Sequence, residues 1–144
     1  MACDRKGDNM IKIILPGSVR SKKNSKVATM VGGRNVPRRA IIIPSKAYTK
    51  WEKQVRASLW EQIRYAGLSG KNGGLPLTGP ISVKAVVYFK GAEPDLSGCL
   101  ESVGDCLEGY LYENDRQIKS WDGSRTFHDL KNPRTEITIE AMEG

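Results

Sequence analysis

A chain of 144 residues, 39% of them apolar, is the length of one domain and can bury a core without disulfides or a structural metal. No run approaches the roughly 18 consecutive apolar residues of a membrane span, and Met1–Asn9 lacks the apolar core and cleavage site of a secretion signal, so a cytoplasmic protein with no membrane partner is expected. The formal net charge of +7 hides a division: residues 1–72 hold 16 Lys and Arg against 4 Asp and Glu, residues 73–144 hold 7 against 12, giving +12 and −5. A phosphate-rich partner is therefore expected for the first part and something different for the second.

Residues 1–9 read as a disordered tail and 10–144 as the domain. Met10–Leu15 reads as a strand stopped by Pro16–Gly17. The basic segment 17–39 has too few large apolar residues to bury, which makes it an exposed loop or hairpin. Within it Lys22, Lys23, Asn24 and Lys26 offer charges and donors suited to phosphate oxygens, and Arg38 and Arg39 extend them along a nucleic-acid backbone. Ala40–Ile43 is a short apolar run that reads as a strand buried on both faces. Ser45 then caps a helix to about Ala66, because Tyr48, Trp51, Val55, Leu59 and Ile63 recur at three- and four-residue spacing. A glycine- and proline-rich connector, 67–80, is expected to be flexible, and Ile81–Phe89 alternates as a central strand that delivers the chain to Pro94–Asp95.

The stretch Glu93–Gln117 inverts the charge of its surroundings, with seven acids and no Lys or Arg before Arg116. Leu96, Leu100, Val103 and Leu107 place a helix over Leu96 to about Glu108, and Glu101, Asp105 and Glu108 then stack on one flank. Like charges at that spacing cost a few tenths of a kcal/mol per exposed pair, roughly, so a purely structural helix gains nothing from them and a cation site is the better reading. Glu93, Glu108 and Glu113 read as surface acids, and Gly98 and Gly104 as marks of a close approach by another backbone, a ligand or a symmetry mate. A turn at Asn114–Asp115, a strand, a loop and a last strand over Arg134–Ala141 follow. The fold class is α/β in the α+β sense: one small domain with a mixed sheet of about four to five strands packed with two main helices. Cys3, Cys99 and Cys106 match no zinc spacing, and a single histidine, His128, leaves little for nucleophilic catalysis.

Ser21–Ser25 after the Gly17–Ser18 turn, Pro44 with Tyr48 and Trp51 at a helix start, the block from Pro94 to Gly109, and Tyr112–Ile118 together resemble the RusA family of Holliday-junction resolvases, common in bacteria and their prophages. The resemblance implies a small homodimeric endonuclease that cleaves four-way DNA junctions in recombination and repair, with Mg²⁺ or Mn²⁺ as cofactor. It implies that Asp95 is the first catalytic aspartate, Asp115 the last, and Asp105 an acid in the middle of the helix. Two positions depart from the best-known members: Ser97 stands where they have a second aspartate, and Glu101 where they have a functional lysine. Either catalysis is lost, leaving a protein that binds branched DNA, or Glu101, one helical turn after Ser97, returns the missing charge to the same site. The second reading is preferred. It makes Asp95, Glu101 and Asp115 catalytic, and Asp95, Glu101, Asp105 and Asp115 the metal ligands. A nucleic-acid-binding or adaptor domain without cleavage is the remaining alternative.

Overall fold

The computed structural model describes residues 3–6, 10–20, 26–66 and 74–142. In chain order these form β1 (Cys3–Lys6), β2 (Met10–Pro16), β3 (Lys26–Gly33), β4 (Val36–Pro44), α1 (Lys46–Tyr65), β5 (Ile81–Phe89), α2 (Leu96–Leu107), β6 (Ile118–Ser120), β7 (Arg125–His128) and β8 (Arg134–Ala141). Period-two alternation gives β2, β5 and β8 one apolar face each, and these strands meet as antiparallel neighbours in the order β2-β8-β5. β1 extends one side of this sheet, while β6 and β7 pair in parallel with the far edge of β5 at successive points along it.

Ile11, Ile13, Val83, Val87, Ile137 and Ile139 point from that face into the core. They meet the apolar stripe of α1, in which Tyr48, Trp51, Val55, Leu59 and Ile63 are buried, and the inner side of α2, which buries Cys99, Val103, Cys106 and Leu107. Ser45 caps α1 as the sequence predicts, its Oγ accepting from Tyr48 N at 3.1 Å. β1 pairs β2 only as far as Ile13, and at the next residue Gln62 of α1 takes its place. Gln62 Oε1 accepts from Ile14 N at 3.0 Å and Nε2 donates to Ile14 O at 2.6 Å, so the exposed end of this edge is closed. No helix among the described residues is long and apolar enough to cross a membrane.

The α+β class is as predicted, and α1, β5, α2 and β8 lie within a residue of their predicted bounds. Two strands go beyond the prediction. Cys3–Lys6, read as part of a tail, forms β1, and β7 lies in the segment read as a loop; β6 is the strand predicted after the Asn114–Asp115 turn, and both β6 and β7 pair in parallel with β5. The basic segment is a hairpin where it is described: β3 and β4 form a two-stranded sheet of their own. This corrects the expected burial of Ala40–Ile43. Ile42 is 72% exposed and Ile43 38%, because among the described residues β4 pairs only with β3, in a sheet separate from the main one. The connector lies outside the described residues over 67–73; its second half is held, with Leu77 N donating to Leu111 O at 2.8 Å.

Candidate functional site

Asp95 stands at the N-cap of α2 in extended conformation and makes no capping hydrogen bond. Its Oδ2 instead accepts from Ser97 Oγ at 3.0 Å, so a neutral donor steadies a carboxylate where a second aspartate would repel it. The helix ends on Glu108, and Gly109, at φ +87°, turns the chain back in a conformation that glycine reaches without steric cost. Gly109 N donates to Tyr112 O at 2.7 Å and Leu111 N to Leu107 O at 3.0 Å. Tyr112 is fully buried beneath the returning chain, and its hydroxyl donates to Gly104 O at 2.6 Å. Burial, then the charges of Asp115, Glu108 and Asp105, push this phenol well above the ordinary tyrosine range, which keeps the donor protonated.

Asn114 next caps a single 3-10 turn, Asp115–Gln117. Its side chain accepts from Arg116 N at 2.8 Å, while Gln117 Oε1 accepts from Asn114 N at 3.0 Å and Glu113 N at 2.9 Å. Gln117 Nε2 donates to Leu77 O and Gly79 O, each at 2.9 Å. The Asn-Asp-x-Gln element therefore has a physical function: its flanking amides fix the turn and tie it to the connector, and Asp115 is left exposed.

This return loop brings carboxylates together. Asp105, Glu108 and Asp115 each offer an oxygen, and the three oxygens all lie within 4.8 Å of one another. The ion pairs formed among the described residues, Arg56–Glu52, Arg134–Asp129 and Arg134–Glu136, leave Glu108 and Asp115 without a cationic partner. Hard oxygens at this separation suit Mg²⁺ or Mn²⁺. Beside them opens a cavity of about 370 Å³ lined by the polar Ser97, Glu101 and Asp115 and the apolar Leu100, Ile118 and Trp121. Gly104 lines it too. A Cβ there would meet Trp121 Cζ2 at 3.8 Å, Tyr112 Oη at 3.9 Å and Ile118 Cδ1 at 4.0 Å, all ordinary contacts, so no other backbone among the described residues makes the close approach at this glycine. Glycine inside a helix costs about 1 kcal/mol relative to alanine, and packing does not demand it here.

Of the four predicted ligands, Glu101 and Asp115 line one cavity, and Asp105 and Asp115 share the carboxylate trio. Asp95 belongs to neither group. Glu108, read from sequence as a surface acid, completes the trio; the available signal was its place three residues after Asp105 and just before a glycine able to reverse the chain. Trp121 was not singled out, and no local pattern marks it, since its partner Gly104 is distant in sequence. Among the predicted DNA-binding residues, Lys22, Lys23 and Asn24 lie outside the described residues, Lys26 begins β3, and Arg38 and Arg39 are exposed on β4. His128 is exposed on β7 and packs edge-on against Phe89, with ring centroids 5.2 Å apart.

The fold and site define a small α+β protein with an acidic, cation-competent cleft and a separate basic hairpin. The sequence profile of the family described as Endodeoxyribonuclease RusA matches residues 16–140, and the chain belongs to that family of DNA endonucleases. A comparison with curated proteins finds no match.

Proposed function

We propose that the chain is a divalent-metal-dependent, structure-selective endodeoxyribonuclease that hydrolyses phosphodiesters at four-way DNA junctions in recombination and repair. The observation that carries this reading is the meeting of Asp105, Glu108 and Asp115 within 4.8 Å, beside a cavity that Glu101 also lines, in a chain of this family. Asp115, Asp105 and Glu108 would hold Mg²⁺ or Mn²⁺, with Glu101 lining the adjoining cavity and Asp95, steadied by Ser97, at the start of the helix. When bound, the ion supplies Lewis-acid polarisation of the phosphate and lowers the pKa of a water. The chain supplies position: Asn114 and Gln117 fix the turn that carries Asp115, and Tyr112 ties the return loop to α2. No histidine base is needed for this chemistry.

Lys22, Lys23, Asn24, Lys26, Arg38 and Arg39 track the DNA backbone, and affinity falls with salt by roughly 0.9 log units per log unit of salt for each phosphate neutralised. A homodimer in the bacterial or phage-infected cytoplasm presents two such clefts to a two-fold symmetric junction. The test is incubation of the purified protein with a labelled synthetic four-way junction, with and without Mg²⁺ or Mn²⁺. Wild type nicks the junction, whereas Asp115→Asn and Asp95→Asn bind it without cutting. Binding without scission by wild type in both metals would replace this reading with that of an inactive branched-DNA-binding protein, which the separation of Asp95 from the trio and the neutral Ser97 favour. Absence of any gel shift would leave an adaptor.

A further inference from the structure

The cavity beside the carboxylates has a composition that a cation alone does not require. Its lining includes Leu100, Ile118 and the half-buried Trp121, and an ion has no use for an indole. We propose that this cavity is a nucleoside subsite, receiving the sugar and base attached to the phosphate at the carboxylates, with Trp121 as the surface on which the base stacks. The inference rests on the nuclease reading and names which part of its substrate enters the fold.

Gly104 supplies the independent observation. It lies inside α2, where alanine is the better helix former, and a Cβ would meet its neighbours only at 3.8–4.0 Å. Neither helix geometry nor packing selects glycine there. What its bare backbone preserves is depth in the cavity lining beside Trp121 and Ile118.

Size and charge agree. About 370 Å³ falls at the small end of the roughly 300–1,000 Å³ of small-molecule pockets, enough for one nucleoside and too small for a base pair in a stacked duplex. An occupant must leave the stack, which is least costly at a branch point. Glu101 and Asp115 repel a phosphate entering the pocket, so the base enters first and the phosphate stays on the cation side. Trp121 is placed for this by the preceding strand β6 and by a turn in which Ser124 N donates to its carbonyl at 3.1 Å.

The test uses the full chain and a four-way DNA junction bearing 2-aminopurine at successive positions around the crossover, with Ca²⁺ replacing Mg²⁺ so that binding is read apart from cleavage. Wild type changes the fluorescence of one position near the crossover. Trp121→Ala abolishes that change and weakens binding about 5- to 150-fold, the range for one base on an aromatic ring, and Trp121→Phe recovers most of it. Gly104→Ala melts at or above the wild-type temperature yet weakens binding at least fivefold, a combination that a structural defect cannot produce and that stands even if Trp121→Ala does not fold. In Mg²⁺ both variants raise KM more than they lower kcat. Folded Gly104→Ala and Trp121→Phe with binding and fluorescence within twofold of wild type overturn the subsite, as does a loss confined to self-association. A wild type that never nicks the junction but still shows the Trp121-dependent signal sinks the nuclease reading and leaves the subsite standing.

Discussion

Tyr112→Phe removes one buried hydroxyl from the link between the return loop and α2. The lost bond is the 2.6 Å contact to Gly104 O, but that carbonyl also accepts from Glu108 N at 3.2 Å and is not orphaned by the change. The expected cost at neutral pH is that of one net hydrogen bond, about 1–1.5 kcal/mol, and not the roughly 3 kcal/mol of an unsatisfied buried group. Alkaline pH separates this from a packing defect. Burial and three nearby acids raise the folded pKa of Tyr112, so above about pH 10 the unfolded chain releases a proton that the folded chain keeps. The stability this group contributes is complete below that pH and is lost as pH rises, at about 1.4 kcal/mol per pH unit. Tyr48, raised first by burial and then by Cys106 and Glu52, behaves likewise, so the variant loses one of several such slopes. Urea unfolding at neutral pH and at several points above about pH 10 gives both quantities. Equal alkaline slopes in the two proteins, or a neutral-pH loss above about 3 kcal/mol, would refute the reasoning.

Gln117→Leu removes four hydrogen bonds, to Glu113 N, Asn114 N, Leu77 O and Gly79 O, most of them exposed, and is expected to cost about 1–3 kcal/mol in total. Amide exchange at Glu113 and Asn114 should speed up with it, and an unchanged exchange pattern would remove Gln117 from the support of Asp115. Burial, with Asp95 adding to it, pushes the Cys99 thiol from 9.0 up to about 11, so its contribution to stability is lost as pH rises through that window. Iodoacetamide at pH ~8 should modify Cys99 only in unfolded protein, and modification of the folded chain at the unfolded rate would contradict its burial. Gly109→Ala meets open space but keeps φ at +87°, so strain alone should destabilise by about 1 kcal/mol in thermal melts, and a neutral result would mean that the turn relaxes.

The elements that were legible in the sequence are those whose periodicity meets a single apolar layer. Tyr48 to Ile63 and Leu96 to Leu107 repeat at helical spacing, β5 and β8 alternate, and each lies where its pattern places it. Ala40–Ile43 misleads because an apolar run reports the wish for burial and not the presence of a layer; β4 is apolar and exposed. β7 was hidden in a polar loop because its pairing, Val86↔Arg125 through Phe89↔His128, is decided by the edge of β5. The site divides similarly. Asp105 and Asp115 were found because the helix flank and the Asn-Asp-x-Gln turn are local patterns, whereas Glu108 becomes a neighbour of Asp115 only after Gly109 reverses the chain. Trp121 needed the third dimension entirely.

Positions 97 and 101 lie one helical turn apart and line the same cavity as Asp115, which makes the replacement of a missing aspartate by Glu101 a geometric proposition. If Glu101 supplies that charge, Glu101→Gln stops nicking, and adding Ser97→Asp restores at least tenfold of it by returning a carboxylate to the same wall. The restored acid has a cost that can be measured without activity. Ser97 now donates to Asp95 Oδ2 at 3.0 Å, and an aspartate there sets two carboxylates side by side with no proton between them. Without a divalent cation the double variant should therefore melt below Glu101→Gln, and Mg²⁺ should raise its melting temperature more than that of the single variant, because a cation bound only by the folded chain relieves the repulsion. Wild-type nicking by Glu101→Gln would show that the charge at 101 is unnecessary. A double variant that is neither restored nor more responsive to Mg²⁺ would show that the two positions do not share a cation.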